Sequence, residues 1–128
     1  MIPGRTFAIS DIHGCASTFQ KLVKEVIQLQ QSDNLYLMGD YIDRGNDSKG
    51  VVDFILQLQD EGHHLFLLRG NHEQIMMDSV NDTETFDLWI QNGGDTTLRS
   101  FGVKSYNDLP QRYQSFFENT VRCLTYKK

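Results

Sequence analysis

"LYLMGDYIDRGN", Leu35 to Asn46, begins as an apolar run and ends as a crowd of charges between glycines. Its first half has the length and composition of a buried strand. Its second half packs Asp40, Asp43 and Arg44 between Gly39 and Gly45. A surface loop could carry any one of these residues, so their meaning depends on whether similar loops recur. They do. "RTFAIS" runs into "DIHG", and "HLFLLR" runs into "GNHE". Each is a short apolar-rich segment that stops at Asp, His or Asn beside glycine.

Helical patterns separate these segments. "CASTFQKLVKEVIQLQQ" (15–31) sets Phe19, Leu22, Val23, Val26 and Ile27 at three- and four-residue intervals, which predicts an amphipathic helix with one buried stripe. "SKGVVDFILQLQDEG" (48–62) predicts a second helix, its broad apolar face formed by Val51, Val52, Ile55, Leu56 and Leu58. Asp47 or Ser48 suits its N-cap and Gly62 its stop. The order strand, helix, strand, helix, strand with short connections predicts right-handed crossovers and a parallel sheet, an α/β fold. From Glu73 to Asn119 the chain reads as helical, with "TFDLWIQN" and "LPQRYQSFFEN" as helices and Gly93-Gly94 and Gly102 as breaks. "VRCLTY" reads as one more strand.

The chain has 128 residues, the size of one domain, with ordinary hydrophobic (39%) and charged (23%) content. A net charge of −5 offers no overall basic field to nucleic acid or to an anionic membrane, so a polyanionic substrate needs a local positive site such as a metal. Cys15 and Cys123 are far apart with no C-x-x-C pairing, as expected of a reducing compartment. "MIPGRTFAIS" lacks the apolar core of a signal peptide, and no run reaches transmembrane length, so the expected location is the cytoplasm.

Parallel strands bring all their C-terminal ends to one edge of the sheet, where open α/β folds bind ligands. The charges of Leu35–Asn46 therefore belong to a site built from three loops. In "DIHG", Asp11 and His13 are two apart; in extended backbone such residues face one side, so carboxylate and imidazole converge on one ion. That donor set suits zinc, manganese or iron better than calcium. Asp40 can bridge the ion to a neighbour, and Asn71 can offer its carbonyl. His72 suits a general acid if a carboxylate holds its other ring nitrogen, and Asp43 is the candidate for that carboxylate. Arg44 offers a planar fork for phosphate. Gly14, Gly39, Gly45 and Gly70 are expected to let backbone approach a bound anion. A lone D-x-H or Asp-Arg pair is weak; three such loops after three successive strands are not filler.

The ordered set "DIHG", "GDYIDRG" and "LRGNHE" resembles the phosphoprotein phosphatase family within the calcineurin-like metallophosphoesterases, over about residues 6–73. Gly93-Gly94 and the helices around it resemble the bacterial and phage branch. The resemblance implies an αββα sandwich of which this chain carries the βαβαβ half and a helical segment. It also implies two divalent ions, manganese before iron or zinc. Asp11, His13 and Asp40 would hold the first, with Asp40 and Asn71 on the second; Asn71 also faces the substrate phosphate. His72 would be the general acid, Asp43 its partner and Arg44 the phosphate clamp, with Arg69 and Glu73 supporting loop geometry. The substrate would be a phosphorylated protein, or a small phosphoester or nucleotide such as a dinucleoside polyphosphate; an inactive phosphate-binding fragment is the alternative.

The family uses two further histidines downstream. Here the remaining ones, His63 and His64, start the third strand, and a six-residue strand is roughly 20 Å long, so neither reaches the site. Residues 1–128 are accordingly expected to be a domain incomplete at its C-terminus, with a bare apolar sheet face prone to self-association. Trp89, with Phe86 and Ile90, and Met76 and Met77 are expected in the core, and Cys15 is expected to pack at a helix start.

Overall fold

The structure, a computed structural model, describes residues 4–122. Three strands, β1 (Thr6–Ile9), β2 (Asn34–Leu37) and β3 (His64–Leu67), form a parallel sheet in the order β1-β2-β3. Phe7, Ile9, Leu35, Leu37, Leu65 and Leu67 alternate onto one face, which packs on the helices; Leu35 and Leu37 are fully buried. Each such side chain withdrawn from water stabilises the fold by about 1.5–3 kcal/mol. The opposite face carries Thr6, Ala8, Asn34, Tyr36, His64 and Phe66. Its apolar part is smaller than the sequence led us to expect: the stacked Tyr36–Phe66 pair, with Met38 exposed beside it.

The first helix, α1 (Ala16–Lys21), passes into a wide π turn over Leu22–Val26 capped by Ile27, and Gln28 follows with φ 49°. The helix thus ends well short of residue 31. A π turn inserts an extra residue and rotates the next positions off the stripe. Phe19 and Val23 stay in the core, whereas Val26, expected inside, is 68% exposed. The second helix, α2 (Ser48–Asp60), meets its expectations: the Asp47 carboxylate accepts from the Gly50 N–H at 2.9 Å, and Gly62 lies just beyond the helix at φ 87°.

The helical segment comprises α3 (Asn71–Asp78), α4 (Thr83–Trp89), α5 (Asp95–Phe101) and α6 (Gln111–Glu118), with a π turn at Ile90–Gly94 joining α4 to α5. Here α4 packs on α3 and α5 packs on α2, so this segment wraps back over the start of α2 and the loop before it. Met76, Trp89, Phe116 and Phe117 complete the core. Of the expected last strand, Val121 makes a parallel bridge with Leu68, and residues 123–126 lie outside the described part.

Candidate active site

The three loops leave the C-terminal ends of β1, β2 and β3, and backbone bonds sew the first to the second. His13 N–H donates to Asp40 O (2.9 Å), Gly14 N–H to Tyr41 O (2.8 Å) and Gly45 N–H to His13 O (2.9 Å). Tyr41 and Ile42, within the charged stretch, are fully buried. The Tyr41 hydroxyl reaches Leu37 O (3.0 Å) and Leu68 O (2.6 Å), tying the ends of β2 and β3, and burial pushes its ionisation up. Gly14 and Gly39 have positive φ (70° and 99°), and Gly45 and Gly70 serve close contact between loops. A Cβ on Gly45 would lie 2.1 Å from His13 O, and one on Gly70 would lie 2.3 Å from Asp40 Oδ1. They let the loops touch one another.

Asp11, His13 and Asp40 converge: one ligand atom from each lies within 4.8 Å of the other two. The expected route, extended backbone between Asp11 and His13, is wrong. Both residues have positive φ (54° and 42°), as do Asp40 (56°), Asp43 (74°) and Arg44 (73°). For non-glycine residues this conformation is strained, and such strain collects where a site must hold side chains in one direction. His13 is oriented by an Nδ1–H···O=C bond to Ile42 at 2.8 Å, which leaves Nε2 for an ion in the usual manner of metal-binding imidazoles. No lysine or arginine forms an ion pair with Asp11 or Asp40 among the described residues. Two carboxylates and an imidazole nitrogen without a cation fit a divalent metal.

His72 stands beside this cluster, its ring edge-on to that of His13 at 4.6 Å between centroids. Its Nδ1 is 2.8 Å from Asp43 Oδ2, and its backbone N–H donates to Asp40 Oδ1 at 3.1 Å. Asp43 is fully buried. Burial pushes its carboxyl up, while Thr97, His72 and Trp89, all donors to the ionised form, pull it down. Asn71 is the first residue of α3 and exposed. Arg44 is exposed, with no side-chain hydrogen bond among the described residues. His63 and His64 lie at the far end of β3, His64 level with Asn34 and hence with Thr6.

A sequence profile of the calcineurin-like phosphoesterases matches residues 4–125. The chain belongs to this family. It is 37% identical to serine/threonine-protein phosphatase 1 of Salmonella typhimurium over 93 residues, 73% of this chain and 40% of that protein. It is 40% identical to a symmetrical bis(5'-nucleosyl)-tetraphosphatase of Nitrosococcus oceani over 67 residues, 52% of this chain and 23% of that one. The chain therefore spans less than half the length of the curated relatives it matches. A mutant of a cold-active protein tyrosine phosphatase superposes with TM-score 0.58 at 23% identity over 84% of this chain and 35% of that chain, a likeness of fold.

In this calcineurin-like phosphoesterase two supports are stronger than their sequence positions imply. Glu73 is fully buried and accepts from the N–H groups of Asp40 (2.7 Å), Tyr41 (2.9 Å) and Gly70 (2.9 Å), so one carboxylate clasps the second loop to the third. Burial pushes its carboxyl up to about 7, against the pull of those three donors. Arg69 braces the third loop from behind, its guanidinium meeting Gln74, Thr120 and the last carbonyls of α6. Two residues emerge as parts of the site that the sequence did not assign to Asp43: Trp89, expected chiefly in the core, and Thr97, not singled out. Both hydrogen-bond to Asp43. The signal available was the break at Gly93-Gly94 between them.

Proposed function

We propose that these residues carry out metal-dependent hydrolysis of phosphomonoesters, of the serine/threonine protein phosphatase type. The supporting observation is the His72–Asp43 pair set against the Asp11–His13–Asp40 cluster, an acid next to a cation site. Asp11, His13 and Asp40 would hold a first divalent ion, and Asp40 with Asn71 a second. Such ions, manganese in preference to iron or zinc, supply an activated water and neutralise charge on the phosphoryl oxygens. His72 donates a proton from Nε2 to the leaving oxygen, with Asp43 holding Nδ1. The exposed Arg44 takes two phosphate oxygens through its planar fork. The enzyme works in the cytoplasm, and residues 1–128 form the half that carries the acid and first metal; no helix among the described residues is long and apolar enough to cross a membrane.

The match to the phosphatase relative is the longer, 93 residues against 67 for the tetraphosphatase, and this supports taking the phosphoprotein as the first substrate to test. Calorimetry with manganese, then phosphate release from p-nitrophenyl phosphate, a phosphoserine peptide and diadenosine tetraphosphate, tests the proposal. Manganese binding and preferential turnover of the peptide are expected. A chain extended past Lys128 should be faster, since four side-chain ligands are few for two ions. Absence of manganese binding would overturn the metal assignment; preferential cleavage of the dinucleotide would move the substrate to the second class.

A further inference from the structure

Asp43 sits at the end of a hydrogen-bond array, two members of which come from α4 and α5, more than forty residues downstream. Trp89 Nε1 lies 3.0 Å from Asp43 Oδ1 and 2.9 Å from Oδ2. Thr97 Oγ1 lies 2.6 Å from Oδ1, and the same hydroxyl accepts the Asp43 backbone N–H at 2.9 Å. Ser48 Oγ backs this hydroxyl at 3.1 Å and shares the Asp43 N–H at 3.2 Å. With His72 Nδ1 on Oδ2, every direction around the carboxylate is taken, and no part of it is exposed. Thr97 thus holds both ends of a residue kept at φ 74°.

Two glycines make the approach possible. A Cβ on Gly94 would lie 2.5 Å from the Trp89 ring, and one on Gly93, at φ 101°, would lie 2.8 Å from Arg44 N. Gly93 O also accepts the Arg44 N–H at 3.2 Å. Any larger side chain at either position would push the π turn off the loop that carries Asp43 and Arg44.

We propose that Trp89 and Thr97 are positioning residues: they lock the Asp43 carboxylate and, through it, hold the His72 ring with Nδ1 inward and Nε2 toward the cleft. The inference rests on the acid role proposed for His72, but its geometric half is tested without activity. A loosened carboxylate could turn away from Nδ1, and the neutral imidazole would then exchange between its two tautomers.

Thr97→Val removes the hydroxyl at nearly constant volume, and Trp89→Phe removes the indole N–H; Thr97→Ser restores the hydroxyl. Imidazole nitrogen NMR of the metal-free chain, at a pH where the ring is neutral and with His72 assigned from a His72→Gln spectrum, reads the tautomer. The wild type and Thr97→Ser are expected to show Nδ1–H alone, and Thr97→Val a substantial Nε2–H population, with Trp89→Phe behaving likewise where it folds. A Thr97→Val spectrum identical to wild type overturns the proposal. On the manganese-loaded enzyme, Thr97→Val should slow phenyl phosphate about tenfold and leave a nitrophenyl ester with a good leaving group nearly unchanged, because only the poor leaving group needs the acid. A loss equal for both esters overturns the link to His72. An altered tautomer, where a chain extended past Lys128 also hydrolyses neither ester, would keep the lock and reject the phosphatase reading.

Discussion

The two ends of the sheet use their carboxylates in opposite ways. At the N-terminal end, Asp33 is 2% exposed and saturated: it accepts from Arg5 N (3.0 Å), from the Arg5 guanidinium (2.7 Å) and from Gln30 N (2.8 Å). Those donors hold its carboxyl down at about 2. At the C-terminal end, Asp11 and Asp40 face each other with no cationic partner among the described residues, on backbone bent into the left-handed region. A carboxylate whose lone pairs are all used inside the chain holds loops together; carboxylates that converge with lone pairs to spare await something from outside. Asp43 and Glu73 lie at the functional end but belong to the first kind, and so serve as supports for the groups that act.

That contrast breaks or sharpens at particular residues. The largest effect is expected at Asp40, whose replacement by Asn should abolish measurable manganese binding and lower phosphate release by about a thousandfold, the loss of several kcal/mol of charge stabilisation. Manganese binding that survives Asp40→Asn would put the ion elsewhere. His72→Gln should cost about a hundredfold in turnover of poor leaving groups while leaving manganese affinity within about twofold, as calorimetry would show. Glu73→Gln comes next: its amide would turn an N–H toward backbone N–H groups, destabilising the fold by about 2 kcal/mol in denaturant melts. A neutral result there would mean that the two loops do not need their clasp.

The smallest effects separate the two ends by pH. Asp33 has a folded value of about 2, below its ordinary 3.8, so its contribution is fully present above about pH 4 and disappears as pH falls toward 2. Asp33→Asn should therefore melt several degrees lower than wild type at pH 6 and converge with it near pH 2. Asp11→Asn, at an exposed position, should change the melting of the metal-free chain by no more than about 0.5 kcal/mol. If the two substitutions behaved alike, the distinction between saturated and converging carboxylates would fail.

Much of this arrangement was legible along the chain. Apolar runs of strand length alternating with stretches of helical period predicted β1, α1, β2, α2 and β3, and parallel pairing then required Asp11, His13, Asp40 and His72 to meet at one edge. Both inferences use spacing that is local to each element. The missed features are long-range or depend on backbone detail. The π turn that exposes Val26 leaves the pattern of apolar residues unaltered. The positive φ of His13 goes with its backbone bonds to Asp40 and Gly45 of the second loop, which no local pattern announces.

Local period and turn chemistry were thus sufficient to specify which elements form and which chemical groups share an edge, because each is settled within a few neighbouring residues. Which groups hold them still was settled only by folding. Trp89 and Thr97 reach Asp43 across separations of 46 and 54 residues. Glu73 reaches the Asp40 and Tyr41 amides across 33 and 32. A hydrogen bond between distant residues depends on the packing of everything between them, and so leaves no periodic trace along the chain.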